Sequence, residues 1–262
     1  MRDLFHKKVL EFVLARRQGT GAFGAAPTLP PSVEDTYLAL RTLQCLAPRA
    51  GDEVSAVIHD PSLAQFLRNP EDREEWHPKT GFHYAYCCRL TGIVPDGKWV
   101  TQFISDRLTN FSGLADHFFC LRMMKEIPGP PFENPLTFFK DFFPIRWRSA
   151  RELWMALVIA GGQPEKFDTN RDNLLSWLRS CQNPDGGFGF LPGTTSYMEN
   201  VHACLRSLTL LQAAPLNPAG ADRFIMNAWT KGGGFARKNG GAPFLDATWH
   251  AVAALSILGD RC

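Results

Sequence analysis

The sequence predicts an all-α chain of six helical hairpins closed into a two-layered ring around a central apolar cavity. Three observations predict it. First, a unit of helix, Gly-rich turn, short loop and second apolar helix recurs from Phe12 to Leu46, from Trp177 to Leu211 and from Phe224 to Leu258. Second, the last leucine-like residue of each apolar helix falls at Leu43, Leu90, Met124, Ala160, Leu208 and Leu255, in steps of 47, 34, 36, 48 and 47 residues, each long enough for two helices and their connections. Third, no stretch alternates apolar and polar residues with the period of a strand.

The inner, more apolar helices are expected to start near residues 34, 81, 115, 151, 199 and 246. Leu38, Leu40, Leu43 and Leu46 recur at helical spacing in the first, and Ala251, Leu255 and Leu258 in the last. Between them GFHYAYCCRLTGI ends a helix near Leu90, SGLADHFFCLRMM near Met124, and RELWMALVIAGG near Ala160. Pro30, Pro31, Pro78, Pro128, Pro130, Pro131, Pro215 and Pro218 fall between the periodic runs, where they break helices. An open solenoid carries polar capping repeats at its ends, whereas the last repeat here is among the most apolar, so closure accounts for it better. Residues 1–262 read as one domain.

Composition narrows the function. Twenty-eight basic and 26 acidic residues leave a net charge of +2, too balanced for an electrostatic nucleic-acid binder. No run reaches the length of a membrane span, and the charged start MRDLFHKKVLEFVLARRQG has no signal-peptide core. The seven cysteines are odd in number and lack the spacing of a disulfide scaffold, so a cytoplasmic setting is expected. Aromatic residues make up 12%, with twenty Phe to four Tyr, which favours dry surface in a core or around a greasy ligand. Tyr37, Trp154 and Trp249 occupy related inner-helix positions and are the candidate substrate-binding residues. The run PLTFFKDFFPIRW places Phe138, Phe139, Phe142 and Phe143 beside Lys140, Arg146 and Trp147, a pattern for either peripheral membrane contact or a buried outer helix.

The turns carry a family resemblance. In WLRSCQNPDGGFGF, Trp177, Leu178, Gln182, Gly186 and Phe188 resemble the QW repeat of triterpene cyclases, with Phe for the final Trp. Phe224, Ile225, Gly233 and Phe235 fit again with Trp229 at the Gln position, and Phe12, Val13, Gly21 and Phe23 with Arg17 there. Nearly the whole chain resembles the superfamily of class II terpene cyclases and protein prenyltransferase β-subunits, whose shared fold is an α/α toroid. The motif implies fold rather than chemistry.

Class II cyclases protonate an alkene or epoxide of a linear isoprenoid, needing no cofactor, with an Asp of a DxDDT sequence. Such a carboxyl must be neutral and poorly solvated. The matching stretch is SVEDTY, in which Ser32 replaces the first Asp, Glu34 takes the donor's place, and Asp35 and Thr36 match. Asp246 in FLDATW holds the repeat-equivalent place, so Glu34, Asp35 and Asp246 are the candidate catalytic residues, with His83, His117, His202 or His250 as a holding partner. The same acids also read as first-turn carboxylates that suit a helix N-terminus.

Prenyltransferase β-subunits make another demand: a zinc ion held by an Asp and a Cys two residues apart and by a later His, and a helical partner subunit. Aligned by terminal leucines, these positions fall on His202, Cys204 and His250, which the resemblance makes candidate zinc ligands. The family's diphosphate-binding basic residues are missing from GFLPGTTSYMEN, while Arg237 and Lys238 stand in the sixth turn. Proton-initiated cyclisation is the leading expectation. A zinc-dependent prenyltransferase-like subunit and a non-catalytic isoprenoid- or lipid-binding toroid stand beside it.

Overall fold

Local chemistry starts the helices where the loops end. Ser32 accepts the Asp35 N–H ahead of α2 (Val33–Ile58), and Ser149 accepts the Glu152 N–H ahead of α7 (Ala150–Ile159). Asp60 and Pro61 open α3 (Pro61–Arg68), Pro78 opens α4 (Pro78–Thr91), and Asn217 with Pro218 opens α10 (Pro218–Asn227). Each supplies an acceptor for an orphan N–H or a ring that needs none. The computed structural model describes residues 2–70, 73–110, 113–127 and 147–259. Among them the remaining helices are α1 (Arg2–Leu14), α5 (Gly97–Asn110), α6 (Leu114–Glu126), α8 (Arg171–Ser180), α9 (Met198–Leu210) and α11 (Leu245–Leu258). One two-residue ladder, β1 (Phe235–Ala236) with β2 (Pro243–Phe244), is the only sheet in the described residues, so the chain is all-α.

The six expected inner helices are α2, α4, α6, α7, α9 and α11, each starting within three residues of its predicted position. Stretches of them are buried on every side rather than along one stripe: α4 has an unbroken buried run from Gly81 to Cys88, and α9 one from Asn200 to Leu205. The outer helices bury one face only, through Leu63 and Leu67 on α3, Leu174, Leu175 and Leu178 on α8, and Ala221, Phe224 and Ile225 on α10. Helix α2 departs from expectation by continuing past Leu46 through Pro48 to Ile58, with Ala50 (φ −129°, ψ 37°) kinking it. The Phe-rich run at 135–146 lies outside the described residues, and Trp147 at its end meets Phe167 edge-on at 5.6 Å.

Contacts gather the chain into two compact units. One comprises Met1–Ala15, Arg41–Ala50 and Pro144–Cys262, the other Arg16–Leu40 and Gly51–Phe143. In the first, α9 lies against both α7 and α11, and α1 packs on the turn of the last repeat, Phe5 meeting Trp229 at 5.4 Å and Phe235 at 5.9 Å. In the second unit α4 packs against α6 and α3, and α5 packs against α6.

The Gly-rich turns fix how successive hairpins meet. Gly186 has φ +88°, and a Cβ there would land on the carbonyl of Gly220 in α10. Gly21 and Gly233 lie as close to Leu63 of α3 and Lys8 of α1. Beside each glycine a side chain four residues earlier bonds its carbonyl. Gln182 Nε2 donates to Gly186 O (3.1 Å) and to Asn217 O (2.9 Å), while its Oε1 accepts the Asn217 N–H (2.9 Å). Arg17 donates to Gly21 O (3.4 Å) and pairs with Asp60, and Trp229 Nε1 donates to Gly233 O (3.0 Å). The turn is then tied to its own inner helix, as Thr36 and Thr248 hydroxyls accept the N–H of Phe23 (3.0 Å) and Phe235 (2.9 Å).

Gly186→Ala is expected to cost about 2–5 kcal/mol, combining ~1–2 kcal/mol for a left-handed backbone with ~1–3 kcal/mol for overpacking. Gly193 also has positive φ (+77°) but open space around it, so Gly193→Ala should show the backbone cost alone. Urea unfolding of both variants checks this, and equal losses would contradict the contact.

Candidate active site

Each inner helix carries a ring at the same count from its start. The fifth residue is Tyr37 in α2, Phe82 in α4, Phe118 in α6, Trp154 in α7, His202 in α9 and Trp249 in α11. Tyr37, Trp154 and Trp249 were legible as substrate-binding candidates and His202 as a candidate ligand or holding partner. Phe82 and Phe118 were not, although aligning helix starts rather than ends exposes them.

In the first unit, His202 stands between the two tryptophans, with ring centroids 6.1 Å from Trp154 and 5.5 Å from Trp249. Its Nδ1 lies 2.9 Å from Nδ1 of His250, the next residue on α11 after Trp249. His202 and Trp249 are buried, Trp154 and His250 half-buried. The Arg41 guanidinium lies 4.5 Å over the Trp249 ring. The second unit repeats the theme: Tyr37 stacks on His83 at 4.0 Å, meets Phe82 at 5.4 Å, and Arg122 lies 4.7 Å over Phe82. Arg41 and Arg122 are each the ninth residue of their helix, one turn beyond the ring level.

The candidate acids sit in another environment. Glu34 pairs with Lys79, with side chains 46% and 39% exposed. Asp246 accepts from Arg237 at 2.8 Å, with 36% and 52% exposed, and its hydrogen bond and charge, with Glu199 adding to them, hold the Arg237 guanidinium above its ordinary pKa. Asp35 completes a helix cap: its N–H donates to Ser32 Oγ (3.0 Å), and Ser32 Oγ donates to its carboxylate (2.6 Å). Both acids are part-exposed and ion-paired, whereas a proton donor to an alkene must be poorly solvated. Lys79 and Arg237, partners 45 and nine residues away, left no signal in the acids' own motifs. Of the expected holding partners, His117 Nδ1 is bonded to Gly113 O at 2.9 Å on its own helix, and His83 is buried against Tyr37.

The model of the prenyltransferase alpha-alpha toroid domain matches residues 1–84 and 149–262. The chain belongs to this family. It is also similar to a geranylgeranyl transferase type-2 subunit beta from Candida albicans, 27% identical over 97 residues, a stretch covering 35% of this chain and 28% of that protein. Membership gives the repeated hairpins their toroid architecture.

Of the candidate zinc ligands, His202 and Cys204 lie two residues apart on α9 and His250 on α11. The Cys204 thiol is fully buried and hydrogen-bonded to the Cys181 thiol, and burial pushes its pKa well up. Among the described residues no three His, Cys, Asp or Glu side chains are placed to hold a metal ion. Nor is any described helix long and apolar enough to cross a membrane.

Burial, with Lys79 and Arg122 adding to it, lowers the His83 pKa well below 6.5, so the folded state keeps the ring neutral. The unfolded chain binds that proton first, so stability should fall as pH drops below about 6.5, by up to ~1.4 kcal/mol per unit. His83→Phe keeps a ring against Tyr37 and should flatten the dependence. Urea midpoints of parent and variant at pH 7.5 and 5.0 check this, and parallel shifts would contradict it.

Proposed function

We propose that this chain is a prenyltransferase-type toroid that holds a long isoprenyl diphosphate and passes the prenyl group to an acceptor. The observation that carries this reading is the wall of Trp154, His202 and Trp249 on three adjacent inner helices, in a chain similar to a geranylgeranyl transferase subunit. Aromatic faces suit a polyisoprene chain because burial of apolar area, about 25 cal/mol per Å², is non-directional and tolerates a flexible ligand. Arg41 beside the wall brings positive charge toward the anionic end of such a substrate. A partner subunit to present the acceptor belongs to the same reading, since the relative is itself named as a subunit. Proton-initiated cyclisation is less well supported, because Glu34 and Asp246 are both ion-paired and half-exposed.

Geranylgeranyl diphosphate should quench tryptophan fluorescence saturably, and Trp154→Ala or Trp249→Ala should weaken binding about 10–100-fold, the ~1.5–3 kcal/mol of a buried large side chain. Mass spectrometry of products separates the readings: transfer releases diphosphate and adds prenyl to the acceptor, whereas cyclisation keeps the diphosphate. Absence of saturable binding would overturn both.

A further inference from the structure

One end of the first unit is both apolar and basic. Backbone bonds line up the starts of three inner helices there. The Ala150 N–H that opens α7 donates to Phe190 O (2.8 Å), the Met198 N–H that opens α9 donates to Arg237 O (2.9 Å), and Phe244 is the residue that precedes α11. Phe190 is 47% exposed and Phe244 50%, and they are the only aromatic residues among the exposed large apolar side chains of the described residues. Cations stand around them. Arg148 and Arg151 lie exposed at the start of α7, while Arg237 sits 5.5 Å over the Phe244 ring and Lys238, also exposed, 5.8 Å over Tyr197 ahead of α9. In both ion pairs of this end the basic side chain is the more exposed, Arg148 at 88% against 28% for Glu152 and Arg237 at 52% against 36% for Asp246. Of the other carboxylates nearby, Glu199 is half-buried, and Asp185 accepts the Ser196 hydroxyl and the Gly187 N–H, each at 2.9 Å. Whatever approaches this end meets phenyl, guanidinium and ammonium groups first.

We propose that this end of the first unit docks on an anionic lipid bilayer, with Phe190 and Phe244 entering the interface and Arg148, Arg151, Arg237 and Lys238 facing the lipid phosphates. Charge selects the occupant. Cations spread around two phenyl rings, with their paired carboxylates recessed, fit a surface that is anionic across its face and apolar behind it, and a bilayer is both. The aromatic wall begins close behind. Trp154, His202 and Trp249 are each the fifth residue of α7, α9 and α11, so they lie four residues along the axis from the helix starts, about 6 Å. Under the prenyl-transfer reading a membrane-borne donor would reach the wall within one helical turn of the lipid. The docking itself rests on the two loops and their charges, not on that reading.

The test uses the full chain and isoprenoid-free vesicles, made of phosphatidylcholine alone or of phosphatidylcholine mixed with phosphatidylglycerol. The chain should sediment with the mixed vesicles and not with the neutral ones, and added salt should release it. Lys238→Gln and Arg151→Gln should each weaken partitioning about fivefold, the effect of one cation near an anionic surface. Phe190→Trp and Phe244→Trp should each add fluorescence that brominated lipid quenches. Leu216→Trp should not, because Leu216, although 68% exposed, lies in the connection from α9 to α10 rather than at this end. Three results would each overturn the proposal: a parent that ignores the mixed vesicles, which leaves this face to a protein partner; a Leu216→Trp signal quenched as strongly as the other two; or both charge variants partitioning like the parent. Vesicle binding without saturable binding of geranylgeranyl diphosphate keeps the membrane face and removes the prenyl-transfer reading, and the opposite pair of results does the reverse.

Discussion

The structure depends on a close approach of backbone to backbone, the glycine of each Gly-rich turn lying against the first half of an outer helix. Gly186 on Gly220, Gly21 on Leu63 and Gly233 on Lys8 leave no room for a Cβ. That proximity lets Gln182, Arg17 and Trp229 bond the turn carbonyl, and lets the first two reach the cap residues Asn217 and Asp60 as well. A hairpin joined to its neighbour in this way cannot slide along it, because sliding would break the cap bonds and drive backbone into backbone. Thr36 and Thr248 pass the same register to the inner helices. Within the first unit the consequence is that Trp154, His202 and Trp249, each the fifth residue of its inner helix, come together.

Spacing made that scaffold legible. The steps between terminal leucines set the inner helices to within three residues, because a repeat length is a property of the chain and survives any change of side chain. Rotation about each helix axis and the identity of side-chain partners do not follow from spacing. The SVEDT stretch shows the difference. Its letters fit a proton-donor motif and a capping box equally well, and Ser32 with Asp35 makes the cap while Glu34 turns to Lys79 on α4. Aligning helix ends put His202 and Cys204 on α9, but gave no sign that the Cys204 thiol is hydrogen-bonded to the Cys181 thiol at the end of α8. What alignment did deliver was His202 and His250, adjacent across two helices.

The arginines at the ninth position decide what the ring faces can do. A guanidinium 4.5 Å over Trp249 occupies one face of that ring. A carbocation on the opposite face would stand roughly 9 Å from it, where like charges repel by about 2 kcal/mol at an effective dielectric of 20. The attraction of a cation to an aromatic face is of the same size, ~0.5–2 kcal/mol, so Arg41 offsets most of what Trp249 offers a cationic cascade. A neutral prenyl chain suffers no such opposition, and a diphosphate gains from the same charge. The electrostatics of the wall therefore suit a ligand that is apolar along its length and anionic at its end, as the proposed prenyl-transfer reading requires.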